Sequence, residues 1–174
     1  MNQHFFFKIL VAGPGGVGKT SLLQQYMKNT FDNSTKMTIG VDFYLKELQV
    51  DSDVKISLQL WDLGGQKMFQ SLHGDYVEGA KGALLLIDLT KFFMVKKVQK
   101  WVELVRKERE DLPILFLGNK VDLKDKISVD DEVLKELTEK HNMHSYLKTS
   151  AKTGQNVDEA FEKIAELVYN HKDK

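Results

Sequence analysis

Cysteine is absent from all 174 residues, and proline and arginine each occur only twice. Without cysteine there is no disulfide scaffold, no thiolate zinc or iron–sulfur site, no thiol nucleophile and no side chain for a prenyl or palmitoyl group. Asn2 stands where N-myristoylation needs glycine, so the chain is expected to carry no lipid anchor. Charge of one sign is missing too: 25 Lys plus Arg balance 25 Asp plus Glu. A nucleic-acid binder held by phosphate neutralisation needs a cationic surplus, so that partner is not expected. The longest apolar runs, Gly82 to Leu89 and Ile114 to Leu117, are far shorter than the roughly 20 residues that cross a bilayer. The expectation is a soluble, cytoplasmic protein. At this length one domain over residues 1–174 can bury roughly 70% of its unfolded surface without disulfide or structural metal.

Short apolar runs alternate with amphipathic stretches. Strands are expected at Phe5–Ala12, Phe43–Val50, Lys55–Trp61, Gly82–Leu89, Ile114–Gly118 and Ser145–Thr149. Helices are expected from Lys19 to about Asn29 and over 93–110, 130–142 and 156–170, with Asn156 capping the last. The Asp51-Ser52-Asp53 turn forces an antiparallel hairpin, and the remaining strands alternate with helices. The fold class is therefore α/β: a six-stranded, mostly parallel sheet with one antiparallel edge strand and helices on both faces. Ligands of such sheets bind beyond the carboxyl ends of the strands.

Four motifs fall at such ends. Gly13-Pro14-Gly15-Gly16-Val17-Gly18-Lys19-Thr20 fits the phosphate-binding P-loop, a match expected by chance in about one chain in a hundred of this length. Its phosphate set is Gly13, Gly15, Gly16, Val17, Gly18, Lys19, Thr20 and Ser21. Pro14 has no N–H, so the contacts are assigned to Gly16 through Thr20. Lys19 brings charge to the β- and γ-phosphates and the Thr20 hydroxyl can ligate Mg²⁺. In Trp61-Asp62-Leu63-Gly64-Gly65-Gln66, Asp62 can hold the metal's water shell, Gly65 can offer its N–H to a γ-phosphate, and Gln66 can position a water as the catalytic residue.

Asn119-Lys120-Val121-Asp122 supplies the base site. The Asp122 carboxylate can accept from N1–H and the exocyclic amine of guanine, a donor pair that adenine lacks. Asn119 would brace the loop and contact the purine, and the Lys120 stem would cover a ring face. Thr149-Ser150-Ala151-Lys152 can place the Ala151 N–H on guanine O6, with Ser150 and Lys152 in the same guanine-binding set.

With these motifs in this order, the chain from residue 5 to 170 resembles a Ras-superfamily small GTPase. The resemblance implies a switch that binds GTP and GDP with Mg²⁺, hydrolyses GTP slowly and signals to effectors in vesicle trafficking or signalling. It makes Thr38 the switch I threonine, ligating Mg²⁺ and touching the γ-phosphate, and places Phe31 edge-on against guanine. Thr38 to Phe43 is similar to a Rab-type switch I, whereas Gly64-Gly65-Gln66 is similar to the Arf type. The implied effector surface is Ile39, Phe43, Trp61, Phe69 and Tyr76, and the implied partners are effectors, a GTPase-activating protein and an exchange factor, with the chain a monomer. Lys67 stands where Ras and Rab proteins typically carry a glutamate that takes part in exchange.

Arginine scarcity bears on rate. Gln and Mg²⁺ alone are slow, and an arginine finger adds roughly 10³ to 10⁵. Arg106 and Arg109 lie in a run read as solvated, outside switch I, so no finger in cis is expected. A small-molecule kinase would need more arginines and a lid. A GTP-binding scaffold with negligible hydrolysis is the alternative. Lys96, Lys97 and Lys100 read as the wet face of a helix.

Overall fold

The computed structural model describes residues 2–28, 41–64 and 75–172. Among these, six strands form one sheet: β1 (Gln3–Ala12), β2 (Val41–Asp51), β3 (Val54–Leu63), β4 (Ala80–Asp88), β5 (Ile114–Asn119) and β6 (Ser145–Lys148). Their order is β2-β3-β1-β4-β5-β6. Only β2 and β3 pair antiparallel; the other four pairings are parallel, so β2 is the antiparallel edge strand. The central strands are apolar on both faces because helices cover both. All six residues of β5 are buried, as are all of β4 except Lys81.

The α-helices bounded within the described residues are α1 (Lys19–Lys28), α2 (Val98–Val105), α3 (Asp131–Lys140) and α4 (Val157–Asn170). Helix α4 buries Val157, Ala160, Phe161, Ile164, Leu167 and Val168, the face given by its 3.6-residue period. Phe161 stacks on Tyr26 of α1, ring centroids 3.9 Å apart and nearly coplanar. This contact locks the helix that starts at the P-loop to the last helix of the chain.

The structure corrects three details. The helix expected over 93–110 is a 3₁₀ segment, Phe92–Lys97, followed by an α-helix that stops at Val105. Continuing to 110 would leave too little chain to bury Leu112 and lead through Pro113 into β5. Asn156 does precede α4, but it sits in the left-handed region at φ 58° and makes no side-chain cap. Its amide donates instead to the Lys148 carbonyl at 2.8 Å, tying the end of β6 to the helix. Arg106, read as solvated, is half-buried and engaged by backbone. Its guanidinium donates to the carbonyls of Leu112 (3.2 Å), His141 (2.6 Å) and Asn142 (2.9 Å), and burial lowers its pKa from the usual value. It pins the end of α2 to the end of α3. Arg109 pairs with Asp111 at 2.8 Å.

Hydrogen bonds from a charged donor contribute about 1.5–3 kcal/mol each and are not additive. Arg106→Met is therefore expected to lower unfolding free energy by about 2–3 kcal/mol in urea titration, with Arg106→Lys intermediate.

Candidate functional site

The P-loop leaves β1 at Ala12 and enters α1 at Lys19, so its amides gather at a helix N-terminus beside the sheet's carboxyl edge. Two glycines are dictated by contact. Gly13, at φ +142°, lies so close to the Leu86 carbonyl of β4 that a Cβ would overlap backbone; at Gly18, φ +99°, a Cβ would stand 2.5 Å from the Asn119 amide nitrogen. Gly16 is exposed and Gly15 and Ser21 are half-buried, while Val17 is buried beneath the loop. Lys19 is 6% exposed, and its ammonium donates to the carbonyls of Gly13 (2.8 Å) and Pro14 (3.0 Å). Burial pulls its pKa down to about 8 against the opposing attraction of Asp62.

Beside the loop the Thr20 hydroxyl donates to Oδ2 of Asp62 at 2.5 Å. Asp62 is fully buried in the last turn-ward residues of β3, where it pairs in register with Val11 of β1. The expected strand ended at Trp61; in the structure Asp62 belongs to the strand, which fixes its carboxylate under the start of α1. A buried carboxylate against a hydroxyl is a pair of hard oxygen donors suited to Mg²⁺.

The base-side loops are joined to the P-loop by Asn119. Its amide donates to the Val17 carbonyl at 2.8 Å, and its Oδ1 accepts from the Thr149 hydroxyl (3.1 Å) and the Ala151 N–H (3.2 Å). The bracing expected of Asn119 is thus laid out atom by atom. Ser150, fully buried, donates its hydroxyl to Asp122 Oδ1 at 2.7 Å and accepts from the Thr153 N–H at 3.0 Å. This bond fixes the direction of the Asp122 carboxylate. Lys120, left-handed at φ 69°, stretches across the site to the Gly16 carbonyl and the Asp88 carboxylate, both at 2.9 Å. Lys152 is exposed.

The model of the Ras family matches residues 8–170. Ras-related protein YPTC6 of Chlamydomonas reinhardtii is 36% identical over 167 residues, 95% of this chain and 76% of the relative. Ras-related protein Rab-11A of Dictyostelium discoideum is 36% identical, covering 95% and 77%. Ras-related protein RABA1c of Arabidopsis thaliana is 34% identical, covering 95% and 76%. The chain belongs to the Ras family. It is a Rab-like GTP-binding molecular switch, a GTPase of the P-loop fold, and members of its family use GTP, GDP and Mg²⁺.

In this GTPase, Phe31, Thr38, Ile39, Gly65, Gln66, Lys67 and Phe69 lie outside the described residues. The remaining effector candidates form a row of rings: Phe43 and Trp61 have centroids 5.8 Å apart, as do Trp61 and Tyr76. Phe43 is 73% exposed, whereas Trp61 and Tyr76 are half-buried against the core. Lys8 crosses over the Trp61 ring at 3.8 Å. No described helix is long and apolar enough to cross a membrane.

Sequence reasoning missed Asp88. At the end of β4 this carboxylate is 1% exposed; its Oδ1 accepts from the Thr90 N–H (2.8 Å) and hydroxyl (2.7 Å), leaving Oδ2 for Lys120. The signal was present as an acid two residues before a threonine at a strand end, an Asx-type turn. Thr149, which supports Asn119, was read only as part of its motif.

Because Asp88 fixes the lysine stem that would wall the base site, Asp88→Ala and Lys120→Met should each quicken release of a fluorescent GDP analogue by about tenfold or more. The double variant should be no faster than either alone, since the two act as one unit.

Proposed function

We propose that residues 1–174 form a single G domain whose nucleotide lies along the carboxyl edge of the sheet, phosphates on Gly13–Ser21 and guanine between Lys120 and the Ser150–Lys152 loop. The observation that supports this most directly is the Asn119 amide on the Val17 carbonyl at 2.8 Å, which fastens a guanine-reading loop to a phosphate-binding one. The ammonium of Lys19 has three protons and spends two on loop carbonyls, so the third can point at phosphate oxygens. Asp122 holds one oxygen against Ser150 and presents the other to guanine N1–H and the exocyclic amine. Asn119 spends one amide proton on Val17 and keeps a second for the purine.

Thr20, Asp62 and Thr38 would hold Mg²⁺, which when bound neutralises charge on the β- and γ-phosphates. Gln66 orients the attacking water, and the Gly65 N–H and Thr38 hydroxyl meet the γ-phosphate only while it is present. Loss of that group on hydrolysis releases both loops from their contacts. The output is a change of affinity for effectors at Ile39, Phe43, Trp61, Phe69 and Tyr76. The Rab and Ypt names of the relatives support vesicle trafficking as the setting, with an exchange factor and a GTPase-activating protein as further partners of a monomeric chain.

Single-turnover GTP hydrolysis tests the reading. Slow turnover that needs added Mg²⁺ is expected, and Gln66→Leu should lower it with GTP affinity retained; no hydrolysis with Mg²⁺ present would indicate a GTP-holding scaffold instead. Asp122→Asn tests base recognition. In competition binding its preference should move from guanine to xanthine nucleotides by about 10³-fold or more, because an amide donor now faces a carbonyl instead of a donor pair. Unchanged preference would remove Asp122 from the base site.

A further inference from the structure

The segment that follows β4 carries a surface for which nucleotide binding has no use. Phe92 and Phe93 are 55% and 52% exposed on the 3₁₀ turn, while Met94 beside them is buried at 6% and holds the turn to the core. Lys91, Lys96, Lys97 and Lys100 are all exposed around the pair, and the chain has no acidic residue between Lys91 and Val102. The Lys97 ammonium lies 5.4 Å from the Phe93 ring centroid. Among the described residues no salt bridge engages any of these four lysines.

The elements packed alongside do little to cancel the charge. Ser128 and Val129 donate to the Leu89 carbonyl at 2.9 and 3.0 Å, which brings the Lys124–Lys126 turn to the same end of the sheet. That turn adds Lys124 and Lys126 against Asp125, together with the part-exposed Ile127. Glu103, one turn further along α2, is engaged by Gln99 at 2.9 Å.

We propose that this turn is a docking surface for an anionic lipid membrane, with Phe92 and Phe93 entering the headgroup boundary and Lys91, Lys96, Lys97 and Lys100 meeting acidic headgroups. Aromatic residues flanked by lysines are the composition of interfacial membrane segments, where apolar burial and attraction to anionic lipid act together. Four exposed lysines with no acid among them match an anionic surface in charge. A short turn offering two rings in succession also suits a soft, continuous apolar medium better than a fitted pocket.

Sedimentation of the GDP-loaded full chain with phosphatidylcholine vesicles, with and without phosphatidylserine, tests this. Binding is expected only to the serine-containing vesicles and should fall as salt rises. Each of Lys96→Ala and Lys97→Ala should weaken it about fivefold. Phe92→Ser with Phe93→Ser should weaken it more than tenfold. GDP affinity should stay unchanged in every variant, since no hydrogen bond or ion pair given for the nucleotide loops involves these side chains. Absence of binding to anionic vesicles overturns the proposal, as does undiminished binding by the Phe variant. So does a Phe-dependent complex with an acidic protein in the absence of vesicle binding, which would make the turn a protein contact.

Discussion

One buried carboxamide holds the nucleotide loops in a common frame. Asn119 leaves β5 with 1% of its surface exposed and satisfies the P-loop through Val17 and the loop after β6 through Thr149 and Ala151. Strands β1 and β6 are not neighbours; β4 and β5 lie between them, and this side chain bridges the loops that follow both. In a low-dielectric interior, removing the amide would take one hydrogen bond each from a carbonyl, a hydroxyl and an N–H. The P-loop and the loop after β6 therefore share an anchor, and a distortion of either is felt by the other.

Around that anchor the sheet does the positioning. Parallel strands buried on both faces bring every loop at their carboxyl ends to one edge. Close contact adjusts the rest: the Gly13 backbone rests against the Leu86 carbonyl, Asp62 is carried by β3 to the foot of α1, and Asp88 is carried by β4 to Lys120. Buried acids recur at these strand ends because each has a hydroxyl or an ammonium within reach that offsets its loss of water.

Much of this was legible before any coordinates. Strand and helix periods gave the sheet, its antiparallel edge and the buried stripe of α4, because those depend on local pattern and short connections. The P-loop, Asp62 and the Asn119 and Ser150 loops were legible because phosphate and guanine demand fixed residue types at fixed spacing. What stayed hidden depended on distance in space. Asp88 looked like one more residue of an apolar strand until its partner, 32 positions away in the chain, was placed beside it. The hydrogen bond from Ser150 to Asp122 was hidden for the same reason, since it joins residues 28 positions apart. Arg106 sat in a charged run and was read as wet, although three carbonyls from two other segments converge on it. Lysines around Phe92 and Phe93 looked like an ordinary helix face because the 3₁₀ turn, which leaves both rings outside, was read as part of a longer helix.

The fate of the two arginines carries a consequence for timing. One guanidinium is consumed by the joint between α2 and α3, the other by Asp111, and the chain contains no third. Both guanidiniums lie in these contacts on the segment after α2, away from the P-loop. While both keep these contacts, an arginine brought to a bound phosphate would have to come from another molecule, and the pace of the switch would then follow that molecule's supply.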